Sequence, residues 1–422
     1  MNRFTTQDHN HNLLLNCGHE FFWGLGIAFH TTYAIVPLFL KQLGAPNAIV
    51  ASIAGLFSVL IAIPQLISAL LSRNLINIKF AVVAVHFLVI PPTFLMGFIY
   101  TFMPPMGSGA WVVYYICFIL YSLSLGVVFP IWANFMRHIT AKKKRGAFFG
   151  ISFTFNSIGG FVGGLLVKKL YSSGLQFPVN FGVGFFVLFV SITIGTLLFL
   201  GYRVKPLERT GEPITSARFR HIVKSILKNH SSFKRYLVAR GFFVFQFIAV
   251  GLYAVYCQQQ FNFNISEAGI FGVINVIAYG SASYTAGKIG DRFGHKFAMV
   301  VAMTGHLLAI ATVLIASSMT WVYAVFFFLG IGQGAFMPAS MNLVYDFAGE
   351  NDSKIYMALI DSTLAPVTLF VIIVSGIIVD IVSAPFIFIG VGFFLIISLS
   401  LLLFTVEDPK NKSFEIPPQP PS

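Results

Sequence analysis

The sequence predicts an all-α membrane protein, with about twelve transmembrane helices in two pseudo-symmetric six-helix bundles. Three observations predict it. First, the 422 residues are 57% hydrophobic and only 10% charged, with a mean hydropathy of +0.82. A soluble chain carries roughly a quarter charged residues to cover its surface. Second, the apolar residues gather into repeated runs of about 20, the length a helix needs to cross hydrocarbon. Lipid offers the backbone no hydrogen-bond partner, so such runs are helices, and the period-2 alternation of an outer-membrane barrel is absent. Third, the basic residues fall on alternate loops.

The spans read 13–40, 47–72, 79–101, 110–137, 146–168 and 178–202 in the first half. In the second they read 235–258, 266–287, 296–317, 320–346, 354–379 and 383–405. The opening MNRFTTQDHNHN is polar and carries no cleavage signature, so no removable signal is expected there. Lys41 closes span 1, Arg73 and Lys79 bracket the turn after span 2, and Arg137 with Lys142, Lys143, Lys144 and Arg145 separates spans 4 and 5. With the N-terminus placed inside, all of the 27 Lys and Arg residues fall inside except Lys41, Lys168, Lys169 and Arg240. That bias orients the spans positive side in. It implies a plasma or inner membrane with both termini cytoplasmic, and a single missed helix would scramble it. The net charge of +13 is therefore topogenic, and no nucleic-acid partner is expected.

Midway lies the longest hydrophilic stretch, so the expected domains are 1–202, a cytoplasmic linker 203–234, a second half 235–406 and a disordered tail 407–422. In the linker, Phe219, Ile222, Val223, Ile226 and Leu227 recur at helical spacing, with Arg218, Arg220, His221, Lys224 and Lys228 on the other face. Residues 216–230 thus read as a basic amphipathic helix on the anionic inner leaflet, or more plainly as an ordered linker surface. The final EIPPQPPS cannot pack. Cys17, Cys117 and Cys257 sit in spans at unrelated spacings and read as small core side chains. No metal or nucleophile constellation and no GxxxxGK[ST] loop occurs. The expectation is no enzyme, no cofactor and no ATP-driven step.

Two internal matches support duplication. Gly126-x-x-x-Pro130-x-x-x-Asn134 in span 4 answers Gly334-x-x-x-Pro338-x-x-x-Asn342 in span 10, and Tyr33-Ala34-Ile35 answers Tyr253-Ala254-Val255. A six-helix unit repeated in one orientation is a transporter architecture. Between spans 8 and 9 stands Gly287-Lys288-Ile289-Gly290-Asp291-Arg292-Phe293-Gly294-His295-Lys296. This turn resembles the signature loop of the major facilitator superfamily, G-x-x-x-D-R-x-G-R-[RK], with His295 replacing the first terminal base. Leu43-Gly44-Ala45 followed by Ser52-Ile53-Ala54-Gly55 resembles the family's first connection. Gly159-Gly160-Phe161-Val162-Gly163-Gly164-Leu165 resembles the G-P-x-x-G-G-x-L stretch of its antiporters, with Gly160 in place of proline. The family usually carries its strongest charged loop between helices 2 and 3. Here that site reads Ser68-Ala69-Leu70-Leu71-Ser72-Arg73, and serine replaces both the glycine and the acid.

The resemblance implies roles for these residues. Asp291 would accept hydrogen bonds at the start of span 5, near Arg145, and Arg292 would take an acid, with Asp346 at the end of span 10 on the same face. The glycines Gly287, Gly290 and Gly294 permit the turn, and Lys296 completes the motif; together with Asp346 they form a cytoplasmic latch, unless the loop is merely topogenic. Spans 1, 4, 7 and 10 would line a cavity. Span 1 offers Glu20, Trp23, His30 and Tyr33, span 4 Tyr114, Tyr121 and Asn134, span 7 Gln246, Tyr253 and Tyr256, and span 10 Gln333 and Asn342. Aromatic and amide groups suit a neutral or amphipathic small-molecule solute, although any one of these aromatics also reads as packing.

Ionisable groups inside a span are functional candidates, and the coupling candidates are Glu20, His30, Arg240 and Asp361. His86 and His306 read as packing, and Asp361 equally as a helix-start acid. Glu20 and Arg240 occupy matching places in the repeat and are expected to pair across the cavity, or else to be solvated and snorkelling respectively. The glycines of span 5 are expected to meet span 8 at Gly280, Ser281, Ser283 and Ala286, so that Gly163→Leu would block transport. The resulting expectation is a monomeric secondary transporter of a small organic solute, working by alternating access with protons as the coupling ion and efflux the first alternative. Facilitated or symport uptake of a polar nutrient is the second alternative, and a solute sensor that moves nothing the third.

Overall fold

The computed structural model describes residues 5–71, 75, 77–140, 145–204, 216–349 and 353–409. The helices are α1 (Thr6–Ile27), α2 (Ile35–Gln42), α3 (Asn47–Leu71), α4 (Ile78–Phe87), α5 (Ile90–Phe102), α6 (Ala110–Ile139), α7 (Arg145–Tyr171) and α8 (Val179–Leu198). After these come α9 (Ser216–Asn229), α10 (Ser231–Phe243), α11 (Gln246–Phe261), α12 (Glu267–Phe293), α13 (His295–Ile315), α14 (Met319–Ala348), α15 (Ser353–Ile378) and α16 (Ala384–Phe404).

Among the described residues eleven helical stretches are long and apolar enough to cross a membrane. The twelfth expected span is α12, whose 27 residues reach about 40 Å at 1.5 Å per residue. Asn275, Ser281, Ser283, Thr285 and Lys288 lower its hydropathy. The protein is an integral, multi-pass membrane protein.

Three spans that hydropathy reads as continuous are broken. Span 1 leaves α1 through a 3-10 turn at Ala28–His30 and resumes as α2. Pro37 cannot donate a backbone bond and its ring crowds the carbonyl four residues back. Thr31 bridges the gap, its hydroxyl accepting from Ile35 N at 3.1 Å. Span 3 divides into α4 and α5 ahead of Pro91 and Pro92, with tight i→i+3 bonds at Leu88 and Val89. Span 7 divides into α10 and α11, and similar bonds carry the chain through Phe245. By contrast Pro64, Pro130, Pro338 and Pro366 lie inside unbroken helices.

The helices group into two compact units, Met1–Glu208 with Val250–Ile277, and Arg209–Ala249 with Ala278–Ser422. In the first, α1 packs on α7 and α8, α3 on α6, and α5 on α8. Phe135, Met136, Phe148, Phe199 and Tyr202 form a buried core there. In the second, α13 packs on α14 and α16, and α10 on α16. Arg235 Nη1 donates to Thr405 O at 2.9 Å, and Ser398 Oγ to Ala239 O at 2.7 Å. Lipid is as apolar as leucine, so these contacts gain from close packing and hydrogen bonds rather than from escaping water. Phe386, Phe393 and Ile396 of α16 remain exposed, as lipid-facing side chains do.

The linker helix is present as α9, with Ile226 buried and Lys224 and Lys228 exposed. The side chains of Arg218, Phe219, Arg220, His221 and Ile222, and the tail from residue 410, lie outside the described residues.

Candidate functional site

The charged turn is built by glycine. Gly294 has φ +96°, a left-handed value that side-chain-bearing residues rarely adopt. Its N–H donates to Gly290 O at 2.8 Å. A β-carbon at Gly294 would collide with the Asp408 carboxylate, and one at Gly290 with the His295 ring. The turn therefore lets a carboxylate and an imidazole approach bare backbone. His295 Nδ1 then lies 2.7 Å from Asp346 Oδ2, and Lys296 Nζ donates to Leu403 O at 3.0 Å.

The sequence expectation paired Asp346 with Arg292. In the structure His295 holds Asp346, while the Arg292 guanidinium stands 5.0 Å from the Phe293 ring centroid and Lys288 Nζ 4.5 Å from that of Tyr284. Spacing alone could not rank the two bases, because both sit on the same turn. Gly287 faces open space. The side chains of Asp291 and Arg145 lie outside the described residues, and with them the expected contact between this loop and the start of span 5.

In the first unit, α1 carries a buried polar row. Glu20 is buried, and Asn156 of α7 donates Nδ2–H to its Oε2 at 3.1 Å and to its backbone O at 3.2 Å. Ten residues on, His30 is buried at the break in span 1. Its Nε2 lies 2.8 Å from Tyr114 Oη, and its ring sits 4.9 Å from that of Tyr121. Tyr33 is half-buried beside the same break. Trp23 instead faces α8 and α4, packing on Gly195 and edge-on to His86 at 5.8 Å. Asn134 of α6 is half-buried. Tyr253 and Tyr256 of α11 are buried and half-buried, and a β-carbon at nearby Gly251 would come 2.7 Å from Ala51 O of α3.

The span 5 glycines serve two neighbours. Gly159 and Gly163 face α1, where a β-carbon at Gly163 would stand 2.6 Å from Ala28 Cβ and 2.7 Å from Leu25 O. Gly160 and Gly164 face α12, with the corresponding distances 3.1 Å to Val276 Cγ2 and 2.7 Å to Val273 Cγ2. Span 5 approaches span 8 at Gly269, Val273 and Val276, at the start of α12, which are not the residues Gly280, Ser281, Ser283 and Ala286 that the sequence pointed to. Lys168 Nζ and Glu267 Oε1 follow at 3.9 Å.

In the second unit, Arg240 of α10 is half-buried. Its Nη1 donates to Tyr236 Oη at 3.0 Å, and its guanidinium lies 4.6 Å from the Phe336 ring centroid. Asp361 of α15 is exposed and within electrostatic reach of Arg240. Gln246 is half-buried with its Oε1 lacking a hydrogen-bond partner, and Gln333 and Asn342 of α14 are half-buried. The structure thus gives Glu20 and Arg240 each a hydrogen-bond partner of its own, Asn156 for one and Tyr236 for the other. Sequence reasoning missed Asn156, and an amide inside span 5 was the available signal.

Comparison with known proteins agrees with this architecture. The profile of the Major Facilitator Superfamily matches residues 21–256 and again 236–420. Among solved structures, a D-xylose–proton symporter superposes with a TM-score of 0.71 at 12% identity, over 97% of this chain and 100% of that one. A point mutant of the nucleoside transporter NupG gives 0.67 at 13% identity over 94% and 99%. A bacterial homologue of the human lysosomal transporter Spinster, inward-facing and unoccupied, gives 0.69 at 12% over 98% and 100%. Among curated sequences, the niacin transporter NiaP of Acinetobacter baylyi is 27% identical over 97 residues, 23% of this chain and 22% of that protein. With the profile matched over both halves, the chain belongs to the Major Facilitator Superfamily of membrane transporters.

Proposed function

We propose that the protein is a secondary active transporter of a small organic solute, working by alternating access with the proton as its coupling ion. The observation that carries the coupling is the holding of ionisable groups inside spans 1 and 7, Glu20 accepting from Asn156 Nδ2 at 3.1 Å and Arg240 donating to Tyr236 Oη at 3.0 Å. A charge inside a span costs about 2.5–3.5 kcal/mol on insertion scales, so ionisable groups retained there are candidates for a change of charge during work, and Asp361 on span 11 is the acid proposed to answer Arg240. Protonating Asp361 releases Arg240 from its neighbour, and deprotonation restores the attraction. Glu20, held by Asn156, is a second carboxyl able to carry a proton. Tyr121, Tyr253, Tyr256, Gln246, Gln333, Asn134 and Asn342 supply the aromatic and amide groups for an uncharged or amphipathic solute.

The partial likeness to a niacin transporter makes nicotinate the first compound to assay, and the structural likeness to a D-xylose–proton symporter supports coupling. The remaining proposals are an inner or plasma membrane, both termini cytoplasmic, a monomer, and residues 216–230 on anionic lipid.

The test is solute flux in proteoliposomes under an imposed pH gradient. The expected result is accumulation that collapses with a protonophore, and in Asp361→Asn, loss of accumulation with solute exchange retained. Accumulation that survives the protonophore would leave a facilitated or differently coupled carrier. Binding with no flux would leave a sensor.

A further inference from the structure

Arg240 is a permanent cation inside span 7, held in place but not neutralised. Its Nη1 donates to Tyr236 Oη, one turn earlier on α10, at 3.0 Å. Its guanidinium lies over the Phe336 ring of α14, 4.6 Å from the centroid, and Phe336 stacks in turn on buried Phe243 at 5.5 Å. Among the described residues no carboxylate forms a salt bridge with it. A hydroxyl and aromatic rings thus fix the position of the group and leave its charge unanswered. A guanidinium carries five N–H donors in a planar fork, and one of them is engaged here. The edge that remains has the geometry of a carboxylate, which such a fork grips with two parallel hydrogen bonds.

We infer that Arg240 binds the carboxylate of the solute, and that the solute is an aromatic acid rather than a neutral compound. The inference rests on the transport reading above and names the polar end of the amphipathic solute proposed there. Tyr236 and Phe336 place aromatic faces beside the guanidinium, so a planar apolar body attached to the carboxylate meets surfaces of its own kind. A charge held inside a span is costly, and a ligand that brings the opposite charge offsets that cost when it binds. Asp361 answers Arg240 in one protonation state and releases it in the other, and the acid takes the guanidinium in the second. A lysine would offer a point charge at this place, whereas arginine offers a fork that distinguishes a carboxylate from an amide by charge and by geometry together.

Equilibrium dialysis of radiolabelled probes against the full-length protein in phosphatidylcholine nanodiscs tests it. The probes are benzoate and nicotinate, each beside its uncharged carboxamide. Each acid is expected to bind about 10- to 150-fold tighter than its amide, the range of hydrogen bonds to a charged group. Arg240→Gln is expected to erase that ratio and leave the amides unchanged, and Arg240→Lys to restore only part of it. The loss falls on affinity, so exchange persists at saturating solute. Acids that bind no better than their amides, including no binding of either, would overturn the inference, as would a ratio that survives Arg240→Gln. The wild-type comparison decides it even if neither variant folds. Binding needs neither flux nor a proton gradient. Acid preference without protonophore-sensitive accumulation would therefore keep this inference and remove the coupled-transport reading, and coupled accumulation of the amides with no preference would do the reverse.

Discussion

The His30–Tyr114 contact shows how one side chain at a helix break is held. His30 leaves a 3-10 turn, not a regular helix, and its ring is enclosed by Tyr114, Phe118, Tyr121 and Phe185. Its Nε2 is 2.8 Å from the Tyr114 hydroxyl. Tyr114→Phe keeps the ring and removes only that hydroxyl, leaving a buried imidazole nitrogen without its partner, a loss of about 1–3 kcal/mol. A lower melting temperature in detergent is expected. An unchanged one would mean that the hydroxyl contributes nothing to holding the break. His295 and Arg292 teach the complementary lesson. Both stand within four residues on one turn, and Gly290 leaves the space for the imidazole that meets Asp346.

At the scale of elements, α7 has two glycine faces with different neighbours, so its substitutions should separate. Gly159 and Gly163 lie against the backbone of α1, and Gly160 and Gly164 against α12. Replacing Gly163 by leucine puts four heavy atoms where Ala28 and Leu25 already stand, and overpacking of that kind costs about 1–3 kcal/mol or more. Gly163→Leu is expected to lower stability and folded yield first, which replaces the sequence expectation of a purely functional block. Gly164→Leu is expected to keep the α1–α7 packing and impair flux. Monodispersity by fluorescence-detected chromatography alongside flux checks both, and the reverse pattern would mean that the two faces have been assigned the wrong roles. The helices were legible because lipid forces every apolar run to satisfy its own backbone. The breaks at Thr31 and Phe245 were not, because hydropathy runs through them unchanged. Asn156 was overlooked because a single uncharged amide is averaged out over the apolar run of span 5 and adds no charge.

For the whole molecule the question is which acid answers Arg240. The repeat places Glu20 and Arg240 at corresponding positions, whereas the structure gives Arg240 the Tyr236 hydroxyl and Glu20 an amide on α7, and Asp361 of α15 is the acid proposed for Arg240. Double-mutant cycles separate these arrangements, since residues in contact show interaction energies of about 0.5–3 kcal/mol and independent sites add within about 0.5 kcal/mol. If Asp361 is the working partner, Arg240→Gln and Asp361→Asn each leave a charge unmatched in the span. The double variant, having neither, should then melt higher than the worse single one. Glu20→Gln with Asn156→Leu should likewise couple, because the leucine strips a buried carboxyl of its donor. Flux under a pH gradient is the more direct reading of the Arg240–Asp361 coupling. The expected outcome is coupled flux lost in both singles, solute exchange retained in Asp361→Asn and in the Arg240–Asp361 double, and additive behaviour for Glu20 with Arg240. Strong non-additivity in that last pair, with none between Arg240 and Asp361, would return the coupling role to the pair the repeat suggests.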